Sequence, residues 1–188
     1  MSFFSFLLPA LLLGYVSPTP APTQTTPPKP EVIAWTAQRK LTWADFKNQP
    51  TPADRLAALT SANIDVQVGC QDFVFSSQVQ AVFMPTESWV REATKASPDL
   101  LRHEQLHFDI TELYARRLRQ KLSQTQFDCQ HLQPKFQNLT KAMFAEWQRE
   151  EVRYDQTTNH GLNKVQQQFW ETQVQQKLAQ LEQFALAK

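Results

Sequence analysis

The stretch Ser97–Leu118, SPDLLRHEQLHFDITELYARRL, decides the fold. It opens with a capping serine, places proline at the first helical position, and sets Asp99 at the positive end of the helix. Leu100, Ile110, Tyr114 and Leu118 then recur on one face, and the helix is expected to run to about Leu122. His103 and His107 lie on that face, about 40° apart and one turn above each other at 3.6 residues per turn. Both imidazoles can therefore reach one metal ion at about 2.1 Å. Glu104 stands one step round, close to any water on that ion. This is the H-E-x-x-H arrangement of two zinc ligands and a general base. The ion lowers the pKa of the water, and the glutamate takes its proton. Gln105 and Glu112 are expected to point away, and Arg116, Arg117 and Arg119 to form a solvated face.

N-terminal to this helix the chain reads as strands. Glu31–Thr36 is a short strand candidate, and Thr42 can cap a helical turn that sets Trp43 and Phe46 on one side. Pro50 and Pro52 mark a loop. Ile64, Val66 and Val68 alternate with polar residues, as do Phe73, Phe75, Val79, Ala81 and Phe83. The two runs are expected to pair as antiparallel strands, turning near Ser76-Ser77, with Pro85 ending the second. C-terminal to the helix, Phe136, Leu139, Met143 and Trp147 predict a second helix over about Lys135–Val152. A third should run from about Leu162, with Val165, Phe169, Val174, Leu178 and Leu181 inward. The fold class is thus α+β, a small N-terminal antiparallel sheet followed by three long helices, the first a zincin-like active-site helix.

The 188 residues suit one domain, residues 31–188. With 41% hydrophobic and 20% charged residues the chain can fill a core, and a net charge of +1 gives no field that would draw nucleic acid. Residues 1–16 carry the apolar run FFSFLLPALLLGYV, too short for a standard spanning helix. It reads as a signal peptide or, because no basic residue precedes it and prolines crowd the cleavage region, an N-terminal membrane anchor. Residues 17–30, SPTPAPTQTTPPKP, are a proline-rich linker that cannot offset the ordering entropy of a core. Together these segments predict export to the periplasm or the cell exterior. Cys70 and Cys129 are then expected to form a disulfide.

A zinc site needs a third protein ligand. The metzincin position is excluded, because Ile110 and Leu113 stand where its glycine and histidine belong. His131, Glu146 or Glu150, Asp155 and His160 remain open. His160 lies in Tyr154–Gly161, YDQTTNHG, which reads as a polar turn between the second and third helices. Tyr154 is a candidate oxyanion donor. Asp155 and Asp109 are candidates to hold a ligand histidine through its second nitrogen, and His131 has no partner in the sequence.

Three pieces, RKLTWADF (39–46), LLRHEQLHFDITELYARRL (100–118) and YDQTTNHG (154–161), resemble the DUF922 family, bacterial zinc-dependent protease-like proteins of uncharacterised function. The order of the pieces also matches, ending in a helix with Gln168 and Trp170. The resemblance implies a secreted or periplasmic metallopeptidase with His160 as the third ligand beside His103 and His107. It names no substrate beyond a peptide or protein. Two other readings stand beside it. In one, zinc merely pins the helices of an envelope protein and Glu104 is a bystander. In the other, the glutamine-rich last helix serves an interaction module.

Overall fold

The computed structural model describes residues 31–186. The expected signal or anchor segment (1–16) and linker (17–30) lie outside the described residues. Strand β1 is Ile33–Ala34, β2 Ala58–Leu59, β3 Ala62–Gln71, β4 Val74–Phe83 and β5 Trp89–Val90; helix α1 is Pro98–Gln124, α2 Lys135–Thr158 and α3 Lys164–Gln180. The order is sheet first and three helices after, an α+β layout. Sheet A runs β1-β4-β3 with every pairing antiparallel, and β2 pairs with β5 in a separate two-stranded ribbon.

The β3–β4 hairpin pairs in full register from Ala62↔Phe83 to Gln71↔Val74. Its turn is Asp72-Phe73, both with positive φ (49° and 62°), not Ser76-Ser77, which are paired strand residues opposite Gly69 and Val68. Two central residues at positive φ match the right-handed twist of the strands. Without glycine the turn leaves almost no trace in the sequence. Thr42 caps a short 3₁₀ turn over Trp43–Asp45 through a capping box, as its position predicts.

Helix α1 starts as expected, with Ser97 Oγ accepting from the Leu100 N–H. It lies across the sheet, and Phe108, Ile110, Leu113 and Leu118 pack with Ile64, Val79, Ala81 and Phe83 into one core. Glu112 does not face solvent. It is buried and accepts from Arg116 Nε at 2.9 Å and from Arg119 Nη1 and Nη2 at 3.1 Å. Arg116 and Arg119 are therefore interior partners, and they also donate to the Leu178 and Phe184 carbonyls. The C-terminal segment folds over this side of α1 and covers Arg116 and Arg119, whereas Arg117 lies over the Tyr114 ring.

The Cys70–Cys129 disulfide forms, with 5.9 Å between Cα atoms, and ties β3 to the loop between α1 and α2. Phe75, Phe127 and Phe136 cluster along the same side of the hairpin. Helix α2 runs six residues past Val152, so Tyr154–Thr158 are helix rather than turn. Helix α3 is rotated from expectation. Gln167, Trp170 and Val174 face inward, whereas Val165 and Phe169 are exposed. A buried glutamine hides the inward stripe from a hydrophobicity count.

Candidate metal centre

Helix α1 brings the two histidines together at one end of a cavity of about 560 Å³. Its other walls come from Arg55–Thr60 on and around β2, from Trp147, Glu151 and Asp155 on α2, and from His160 and Leu162 in the following turn. Thr60 Oγ1 donates to the Glu104 carbonyl at 3.2 Å, fastening the β2 wall to α1.

His103 Nε2 and His107 Nε2 are 3.3 Å apart, and Asp155 Oδ1 lies 3.1 Å from the first and 3.2 Å from the second. The three atoms form a nearly equilateral triangle. The opposite ring nitrogens are held from behind. His107 Nδ1 is 2.5 Å from Glu151 Oε2, and Glu151 Oε1 accepts from Trp147 Nε1 at 2.8 Å. His103 Nδ1 is 3.2 Å from Gln167 Oε1. A carboxylate only accepts and an amide oxygen only accepts, so both Nδ1 atoms carry the proton. Both Nε2 lone pairs then point at Asp155 Oδ1, itself an acceptor.

Three electron-pair donors converging on one point require a positive charge between them. In the metal-free chain a proton supplies it. Burial works against a charged His107 ring, but the Glu151 charge and the bonds to Asp155 and Glu151 outweigh it and raise its pKa well above 6.5. Burial likewise raises the Asp155 carboxyl, yet the bonds to His103 and His107 hold it far below the usual carboxylate range. A metal ion satisfies the same set. Tetrahedral zinc ligands at about 2.0–2.1 Å stand about 3.3–3.4 Å from one another, close to the sides of this triangle. Among the described residues His103, His107 and Asp155 form the cluster whose ligand atoms lie close enough to share an ion.

His160 stands at the rim. Its Nδ1 is 3.3 Å from Asp155 Oδ1 and its side chain is half-exposed. It borders the cavity without joining the three clustered atoms. The turn that carries it is unusual, since Asn159, His160 and Gly161 all have positive φ (48°, 52°, 79°). Only at Gly161 is the residue type dictated by space as well. A Cβ there would meet His103 Cβ at 2.9 Å.

Glu104 is buried, lines the cavity, and makes no side-chain hydrogen bond or ion pair among the described residues. An unpartnered carboxylate beside the triangle is free to accept a proton from a ligand in the cavity. Tyr154 does not offer its hydroxyl to the cavity. The side chain is buried, the ring stacks on His103 with centroids 4.7 Å apart, and the hydroxyl lies 2.8 Å from Gln167 Oε1 and 3.2 Å from the His103 carbonyl. Burial pushes its pKa far above the usual phenol range, so it stays neutral. Its ring and hydroxyl are both engaged with His103 and Gln167. Asp109 also departs from its expected role, because it accepts from Trp35 Nε1 and Gln105 Nε2 and not from a histidine. His131 is exposed and pairs with Asp128, and Glu150 pairs with Arg153 and Lys177.

Glu151 and Gln167 are absent from the sequence-based set. Glu151 had a signal, since Met143, Trp147, Glu151 and Asp155 follow one another at four-residue steps along a single helix face. Gln167 had none, because the groups its carbonyl oxygen meets, His103 and Tyr154, lie on two other helices.

Fold and site together define an α+β chain whose central helix presents a His-Glu-x-x-His constellation to a walled cavity. The family described as "Bacterial protein of unknown function (DUF922)" matches residues 33–161, more than half of the chain, and the chain belongs to it. No curated protein and no solved structure matches the chain.

Proposed function

We propose that this chain is a zinc-dependent metallopeptidase acting on a peptide or protein in the cell envelope or outside the cell. The observation that carries the reading is the convergence of His103 Nε2, His107 Nε2 and Asp155 Oδ1 on one point, with both Nδ1 atoms anchored from behind and the unpaired Glu104 carboxylate alongside. His103, His107 and Asp155 hold the ion, with His160 next to Asp155 at the open side. This set differs from the three-histidine site implied by the family resemblance, because α2 continues far enough to turn Asp155 inward.

Zinc bound there supplies a Lewis acid that polarises a carbonyl and makes water acidic. Glu104 accepts the proton from the attacking water and, being otherwise unpaired, can return it to the leaving amine. Glu151 and Gln167 keep the two imidazoles turned so that Nε2 faces the site. Leu56, Ala58, Leu100 and Leu162 line the cavity and offer apolar surface to a peptide. The disulfide agrees with folding in an oxidising compartment. No helix among the described residues is long and apolar enough to cross a membrane.

The test is elemental analysis of the purified chain together with hydrolysis of a broad peptide library by wild type and Glu104→Gln. One zinc per chain is expected in both proteins, with hydrolysis lost only in the variant. A wild type without zinc refutes the metal reading. Zinc without hydrolysis refutes the peptidase reading and leaves a metal that only pins α1 to α2.

A further inference from the structure

We infer that Gln167, set by the Arg102–Glu171 ion pair, is the positioning residue that fixes which nitrogen of His103 is free to bind metal. The inference rests on the metal-centre reading and is independent of any peptidase activity.

The chain of hydrogen bonds has a definite direction. At the surface Arg102 grips Glu171, with Nε 3.2 Å and Nη2 2.9 Å from Oε1 and Nη2 2.9 Å from Oε2. Glu171 Oε1 also lies 3.0 Å from Gln167 Nε2. A carboxylate held by a guanidinium cannot donate, so the Gln167 amide must turn its NH₂ outward toward Glu171. Its carbonyl oxygen must then point inward. There it meets the Tyr154 hydroxyl at 2.8 Å and His103 Nδ1 at 3.2 Å. The tyrosine alone could not set this direction, because a hydroxyl both donates and accepts. His103 Nδ1 therefore has to be a donor, and the lone pair is left on Nε2, which faces His107 and Asp155. Removing Gln167 would free the proton to move to Nε2, where Asp155 would accept it and metal would have to displace it.

Gln167 is buried and projects from α3, beyond the stretch that matches the family. The last helix thus does more than cover α1. It carries the acceptor for a metal-ligand histidine, and a surface ion pair determines which end of that acceptor is presented.

The test uses ¹⁵N shifts of the histidine rings in the full, metal-free chain in alkaline buffer, together with zinc affinity. The variants are Gln167→Leu, Gln167→Glu and, should the first not fold, the surface change Glu171→Gln. Wild type is expected to carry the His103 proton on Nδ1. In Gln167→Leu the proton should shift to Nε2 and zinc affinity should fall about tenfold or more, while the His107 shifts stay in place. Gln167→Glu restores an acceptor and should recover both readouts. Glu171→Gln should give a mixture of the two His103 forms. A wild-type His103 protonated on Nε2, or a folded Gln167→Leu that binds zinc as tightly as wild type, overturns the inference. A wild type that binds no zinc sinks the metal reading, while the metal-free spectrum still decides the tautomer.

Discussion

At the scale of single residues the site is an arrangement of acceptors. Asp155 and His160 make opposite claims on the third ligand position, and the distances separate them. Asp155 Oδ1 is 3.1 and 3.2 Å from the two ring nitrogens, whereas the nearest contact of His160 is to Asp155 itself. Asp155→Ala is therefore expected to weaken zinc binding by a hundredfold or more, roughly 3 kcal/mol. His160→Ala should cost about tenfold, and His131→Ala nothing, all read by competition with a chelator. An equal loss in Asp155→Ala and His160→Ala would mean that both ligate. Gly161 offers a second check. Any side chain there combines a strained φ of 79° with a Cβ driven against His103. Gly161→Ala should lower stability by about 1–3 kcal/mol and also weaken zinc binding, since the clash falls on a ligand. Denaturant unfolding with and without zinc separates the two effects.

At the scale of elements, the inward face of each helix follows its apolar pattern to a different extent. The α1 stripe held because apolar residues, histidines and an N-cap agree on one register. The opposite side of α1 departs from the expected solvated face because Glu112, Arg116 and Arg119 satisfy one another in the interior. Charge in a sequence does not reveal whether a partner covers it. The α2 stripe was legible only to Trp147; beyond it the inward positions are Glu151, Tyr154 and Asp155, polar residues serving the site. Cys70–Cys129 cross-links the hairpin to the α1–α2 loop beside the Phe75–Phe127 contact, closing a separation of 59 residues. By loop entropy this bond contributes about 4 kcal/mol. Cys70→Ser/Cys129→Ser should lower the unfolding free energy by about that amount and leave the zinc stoichiometry unchanged, because none of His103, His107 and Asp155 lies on either joined segment.

At the scale of the whole molecule, an ion between His103, His107 and Asp155 would link α1 to α2. Zinc is therefore expected to raise the melting temperature, by an amount that grows with free zinc. The pH dependence has a definite sign. His107 has a folded pKa raised above the ordinary imidazole value of 6.5. In the metal-free chain the protonated ring contributes stability that is fully present below about 6.5 and is lost as pH rises through the folded value. Zinc needs the same nitrogen without its proton, so zinc binding and its stabilisation should strengthen over that same rise. Calorimetric melts across pH with and without zinc should show the two curves diverging toward alkaline pH. Parallel curves would mean that His107 is not a ligand.

Local signals were sufficient for much of this protein. The α+β order, the cap and face of α1, the pairing of two alternating strands and the placement of His103, Glu104 and His107 at one point all follow from periodicities of two and 3.6. Those periodicities act between neighbours along the chain, so a sequence carries them directly. The rest depended on which elements meet. Asp155, one of several candidates the residues leave open, meets the two histidines because α2 does not stop at Val152 and its last turn packs against His103. Gln167 acquired its role only when α3 docked with that residue inward, against a hydrophobic pattern that favoured Val165 and Phe169. A hydrogen bond across 64 residues is set by shape complementarity between helices, and no local preference of either residue encodes it.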